Sequence, residues 1–124
     1  MPHEVEGLVS LAQEYFEAAY EMDADRFAAI FDPSASVTRR NDQGGISVVD
    51  VASWLDAVRT MSSPQQSGAT RRDEVLSIDV TGDMALLKLR LRIPPRIVTD
   101  VLICFQLDGR WQIVQKVFSA ELQP

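Results

Sequence analysis

Residues 99–118 set two apolar, β-branched and aromatic segments on either side of Asp108-Gly109. An Asp-Gly pair between two such segments is the strongest short-range signal for a β-hairpin, because the favoured turn needs positive φ at both central positions. The hairpin constrains the fold because the first half of the chain carries helical periodicity instead. Helices early and strands late predict an antiparallel sheet with the helices gathered on one face.

From Val5 to Met22 the apolar residues Leu8, Val9, Ala12, Tyr15, Phe16 and Ala19 recur at spacings of three and four, and Glu6, Gln13, Glu14, Glu17 and Glu21 take the other face. That pattern predicts an amphipathic helix. Asp23 offers an N-cap to a second helix running to Phe31, which Asp32-Pro33 ends. Ser34 to Arg40 reads as a short edge strand around Val37, followed by a turn at residues 41–45. Ser47-Val48-Val49-Asp50 has the capping-box form. It predicts a third helix from Ser47 to about Met61, with Val51, Trp54, Leu55, Val58 and Met61 inward.

Strands follow. In Met84 to Ile93, residues Ala85, Leu87, Leu89 and Leu91 alternate with Leu86, Lys88, Arg90 and Arg92, the period of a half-buried strand. In the next strand Ile97, Thr99, Val101, Ile103, Phe105 and Leu107 are expected toward the core, with Val98, Asp100, Leu102, Cys104 and Gln106 pointing away. Three helices cover only one face of such a sheet. The other face, expected to carry Arg90, Arg92, Leu102, Gln106 and Lys116, mixes apolar with charged residues and predicts a two-fold homodimer. The alternative is a solvent-facing sheet kept wet by its lysines and arginines.

A length of 124 residues fits a single domain over 1–124. The net charge of −6 opposes nonspecific binding to nucleic acid or to anionic membranes. The acidic start differs from a signal peptide, and no apolar run approaches the roughly 18 residues of a membrane helix. One cysteine fits a reducing, cytoplasmic setting. With one histidine, His3, expected in a frayed terminus, and one cysteine, the chain lacks the side chains for a zinc site or a Ser-His-Asp triad. It also lacks a glycine-rich phosphate loop, so no metal and no cofactor are expected. Cys104, among apolar neighbours, reads as a small hydrophobe.

The helix with Tyr15, Phe16 and Tyr20, the run Asp23-Ala24-Asp25-Arg26-Phe27, Phe31-Asp32-Pro33, Trp54, Gly82-Asp83-Met84-Ala85, Thr99-Asp100 and the hairpin from Asp108 to Phe118 together resemble the nuclear transport factor 2-like superfamily. This is the cone-shaped, cystatin-like α+β roll of ketosteroid isomerases and polyketide cyclases. Within it the chain is most similar to the group labelled putative lumazine-binding proteins. The resemblance implies three N-terminal helices on a strongly curved antiparallel or mixed-edge sheet, a pocket at the open end of the cone, and a homodimer.

On the isomerase pattern a tyrosine and a protonated aspartic acid hold the oxyanion while a second aspartate moves the proton. Tyr15 or Tyr20 matches the tyrosine, Asp100 matches the acid, and Tyr20 with Asp100 is the catalytic pair expected of such an enzyme. The base position falls in Val37-Thr38-Arg39-Arg40, and arginine stays protonated. Strict alternation turns Asp100 away from the pocket unless a bulge intervenes. The first expectation is therefore a binding domain for a small apolar or aromatic molecule, with Tyr15, Tyr20, Phe31, Val37, Arg39, Trp54 and Val58 around the pocket. Arg39 is set inward by parity with Val37. For each aromatic the bland alternative is core packing. The alternative functions are an isomerase- or cyclase-like enzyme and a non-catalytic interaction module.

Overall fold

The computed structural model describes residues 2–123, with side chains from residue 5 onward, so the expectation for His3 lies outside the described side chains. The chain runs through α1 (Pro2–Glu21), α2 (Ala24–Ile30), β1 (Phe31–Arg40), β2 (Ile46–Asp50), α3 (Val51–Val58), β3 (Glu74–Thr81), β4 (Met84–Ile93), β5 (Arg96–Leu107) and β6 (Arg110–Leu122). The strands form one sheet in the order β2-β1-β6-β5-β4-β3. Every neighbouring pair is antiparallel except β1 with β6, which is parallel. This is the cone-shaped α+β class expected from the sequence.

Asp108 and Gly109 take φ of 51° and 78° and join β5 to β6 in the two-residue turn their sequence requires. The inward stripe of α1, including Leu8, Leu11, Ala12, Tyr15 and Phe16, packs on Leu87, Leu89, Leu91, Leu102 and Ile113 of the sheet. The Asp23 carboxylate accepts from the backbone N–H of Asp25 and Arg26 and starts α2. Arg26 then clamps α2 to α1. Its guanidinium donates twice to Glu14, at 2.7 and 2.8 Å, and once to Glu21 at 3.1 Å. That bidentate contact holds the Glu14 carboxyl below its usual range.

Expectations for three segments need correction, the first of them residues 34–61. Residues 46–50 form β2 against β1, so Ser47 is a strand residue and not a cap; Asp50 caps α3 through Ser53 N–H at 2.7 Å. The β-branched run after Gly44-Gly45 continues the hairpin, which places β1 inside the sheet instead of at its edge. The helix ends at Val58, and Met61 is 53% exposed.

The second correction concerns β5. Val98, Asp100, Leu102 and Cys104 face the helices, while Ile97, Thr99, Val101 and Ile103 face outward. Both faces of this strand are rich in apolar residues, so its own alternation does not decide which is buried. Register decides it: Leu87, Leu89 and Leu91 of β4 stand opposite Leu102, Asp100 and Val98.

The third is Lys116. The pairing of β6 with β5 shifts between Ile103 and Cys104, leaving Val114 as an extra residue. This bulge reverses the parity of β6. Trp111 and Ile113 face inward before it, and Lys116 faces inward after it. On the other flank of the same segment β1 is also irregular, skipping from Phe31 to Ser36. Bulges on both sides of one strand bend the sheet around α1.

Candidate functional site

Lys116, from β6, stands opposite Leu102 on one side and Val37 on the other. Asp100 stands two positions along β5, opposite Phe118, and α1 brings Tyr15 over both. Lys116 Nζ donates to Tyr15 Oη at 2.7 Å, and Tyr15 Oη donates to Asp100 Oδ2 at 3.0 Å. The direct Nζ to Oδ1 separation is 3.7 Å, and Oδ1 has no hydrogen-bond partner. The three residues are 1–6% exposed.

Burial dominates their electrostatics. Loss of water pushes the Asp100 carboxyl up, with Lys116 and the Tyr15 hydroxyl pulling it back only in part. The same loss pulls the Lys116 ammonium down against the opposing pull of Asp100. Burial and the neighbouring carboxyl raise the Tyr15 hydroxyl well above its ordinary value, so it stays protonated. Both ends of the chain of hydrogen bonds are therefore driven toward their neutral forms.

Aromatic faces complete the surroundings of the amine. Nζ lies 4.2 Å from the centroid of the Trp54 ring, 4.9 Å from Phe118 and 5.3 Å from Tyr15. Trp54 itself packs edge-on against Phe27 at 4.8 Å and tilts against Phe31 at 5.4 Å.

Directly beside this cluster is a cavity of about 180 Å³. Val37 and Arg39 of β1, Ser47 and Val49 of β2, Ser53, Trp54 and Ala57 of α3, and Phe118 of β6 line it. Its walls are largely apolar, with two hydroxyls and one guanidinium. Arg39 is exposed and donates to the Arg40 carbonyl at 3.0 Å; it makes no ion pair among the described residues. A larger depression of about 400 Å³ lies between Glu21, Asp25, Arg59 and Gln65, but its charges already serve the Arg26 clamp and an Arg59–Asp25 pair at 3.7 Å.

Of the residues expected around the pocket, Val37, Arg39 and Trp54 line this cavity, and Tyr15 lies deeper, on Lys116. Phe31 and Val58 are core residues. Tyr20 is elsewhere, with the Arg71 guanidinium 4.5 Å above its ring, so the tyrosine that meets Asp100 is Tyr15 and not Tyr20. Asp100 reaches the interior without any bulge in its own strand. Leu102 is fully buried, Lys116 is held in the cluster, and Gln106 pairs in register with buried Trp111; none of them belongs to an outer face. Arg90 and Arg92 do point outward.

Sequence reasoning missed Lys116 as an interior group, and with it Ser47, Val49, Ser53, Ala57 and Phe118 as lining. One signal was present: Asp100 and Lys116 are opposite charges embedded in neighbouring apolar strands, the mark of a buried pair. Cys104 is fully buried and its thiol is pushed up to about 12, as an inert core cysteine would be. Among the described residues no three His, Cys, Asp or Glu side chains converge as metal ligands, and no helix is long and apolar enough to cross a membrane.

No curated protein matches the chain significantly. Solved structures do. An NTF2-like protein of unknown function from Shewanella baltica OS155 superposes with a TM-score of 0.88 at 16% identity, covering 97% of this chain and 95% of that one. A cystatin-like fold protein from Burkholderia xenovorans LB400 gives 0.76 at 17% identity, covering 100% and 96%. A ketosteroid isomerase-like protein from Erwinia carotovora atroseptica SCRI1043 gives 0.75 at 12%, covering 98% of each. At these identities the likeness is one of fold. The sequence itself carries the narrower match, over residues 3–119, and the chain belongs to the family described as "Putative lumazine-binding".

Proposed function

We propose that this protein is a homodimeric small-molecule-binding domain whose cavity between α3, β1, β2 and β6 takes a flat aromatic ligand bearing an anionic group. The observation that carries the reading is the meeting of largely apolar walls with the guanidinium of Arg39, which makes no ion pair among the described residues. Trp54 and Phe118 offer ring faces for stacking, Ser47 and Ser53 offer hydroxyls, and arginine binds a carboxylate through two parallel hydrogen bonds. The family description supports a small-molecule role. A volume of about 180 Å³ is below the roughly 300–1,000 Å³ of sites for drug-sized ligands, which favours one or two rings over a steroid. The cytoplasmic setting expected from the sequence belongs to the same reading, with one buried free cysteine in its support.

A second reading, proton transfer of the isomerase kind, is favoured by the Tyr15–Asp100 hydrogen bond. It lacks a carboxylate among the β1 residues that face the cavity, which are Val37 and Arg39.

The test is calorimetric titration and thermal shift with benzoate, 2-naphthoate, lumazine and flavin. An aromatic acid is expected to raise Tm, and Arg39→Ala to weaken its binding by about tenfold or more, the scale of a lost charged hydrogen bond. Unchanged affinity in Arg39→Ala would reject the ligand orientation, and no shift with any probe would reject the reading itself.

A further inference from the structure

We infer that Lys116 sets the electronic preference of the cavity: acting through the Trp54 and Phe118 rings, its ammonium favours electron-rich aromatic acids over electron-poor ones. The inference rests on the binding reading above and names the class of ring that the cavity takes. Lys116 does not line the cavity and touches no ligand there. Its place is behind the wall, with Nζ 4.2 Å from the Trp54 centroid and 4.9 Å from the Phe118 centroid, and both rings line the cavity.

Loss of water opposes a charge on Nζ, while the Asp100 carboxylate at 3.7 Å and the faces of Trp54, Phe118 and Tyr15 favour it. The hydrogen bonds run in the sense that suits the charged pair, since Nζ donates to Tyr15 Oη and Tyr15 Oη donates to Asp100 Oδ2. Lys116 is buried, so little water stands between its charge and the rings.

The direction of the effect follows from the ring quadrupole. An aromatic ring carries negative charge on its faces and positive charge at its edge. Alone, the electron-rich indole of Trp54 stacks best on an electron-poor partner. A cation over one face draws the π electrons toward itself and leaves the far face and the edge poorer. A ligand in the cavity meets a ring so depleted, whether it stacks on the face or abuts the edge. Electron-donating substituents on the ligand then strengthen the contact, and withdrawing ones weaken it. That preference is opposite in sign to the one the aromatic wall would show without Lys116. Arg39 is left to hold the carboxylate, which both kinds of ligand share.

Calorimetric titration of 4-methoxybenzoate and 4-nitrobenzoate, two acids of similar size that are both ionised at neutral pH, tests the assignment. The wild type is expected to bind the methoxy compound about threefold or more tightly than the nitro compound. Asp100→Asn with Lys116→Met, which removes both charges of the pair together, should bring 4-nitrobenzoate level with it or ahead. Equal or tighter binding of 4-nitrobenzoate by the wild type, with Arg39→Ala still weakening both acids, overturns the inference and leaves the binding reading intact. A preference that survives undiminished in the double variant overturns it as well. Binding of neither acid, nor of any probe named above, removes the binding reading and the inference with it. The order of affinities is measured on the wild-type chain, so the decision does not depend on the double variant folding.

Discussion

A buried Lys–Asp pair is costly to form and costlier to break. Removing one partner of such a pair typically costs about 3–5 kcal/mol, because the other is left charged without water. In the wild type the pair holds one proton between its two ends whether it is ionised or neutral, the same count as exposed Asp and Lys at neutral pH. It therefore adds no slope to stability around neutrality. Lys116→Met removes that balance. Asp100 then keeps only the Tyr15 hydrogen bond, and burial lifts its folded pKa above the unfolded value. The folded state binds the extra proton, so the variant is most stable at low pH and loses stability as pH rises through the folded pKa, by up to about 1.4 kcal/mol per unit. Urea unfolding at pH 5 and pH 8 should show a deficit, relative to wild type, that is larger at pH 8. A deficit equal at both would mean that Asp100 is solvated. The double variant Asp100→Asn with Lys116→Met should remove the slope.

At the scale of elements, the Asp23 cap is a local signal that the chain follows. Asp23 serves two backbone N–H groups at 3.0 and 3.2 Å at the start of a helix only seven residues long. Asp23→Ala should cost about 1 kcal/mol, read as a lower urea midpoint with unchanged m; a loss within error would show that packing of Phe27 alone holds α2. The same element-by-element logic explains what the sequence did and did not disclose. The amphipathic stripe of α1, the Asp23 cap, the alternation of β4 and the Asp108-Gly109 turn are each local, and each is read from a few adjacent residues. The parity of β5 is not local, because Ile97, Val101 and Ile103 are as apolar as Val98, Leu102 and Cys104. Only pairing with β4 separates the two sets. The inward turn of Lys116 is further hidden, because it depends on a one-residue slip at Val114 that leaves no composition signature. Arg39 was readable by parity with Val37. The Tyr15–Asp100–Lys116 chain was not, because it joins three elements across 101 residues.

For the whole molecule, the correction to β5 changes which surface would join two copies without removing the reason for joining. One row across the outer face runs through Lys88, Val101, Val117, Thr38 and Val48 in register. Val117 is 42% exposed and Val48 62%, and Ile97 and Ile103 flank Val101 on the same side. Helices cover the opposite face, so this apolar centre has no partner among the described residues. Cations on β4, Arg90 and Arg92, border it on one side, and Glu121 of β6 lies across Ile97 from Arg92. A two-fold operation can set the basic border of one copy against the acidic border of the other while the valines meet at the centre. Val101→Glu would place like charges near that axis, where burial of an unpaired carboxylate is opposed most strongly. Sedimentation at micromolar concentration should give twice 13.8 kDa for the wild type and 13.8 kDa for Val101→Glu, with the same circular dichroism. The substitution points outward and leaves the core untouched, so a change in mass without a change in spectrum reports the interface alone. A wild-type chain that sediments only at 13.8 kDa, or a Val101→Glu variant that still pairs, would remove this face from the assembly.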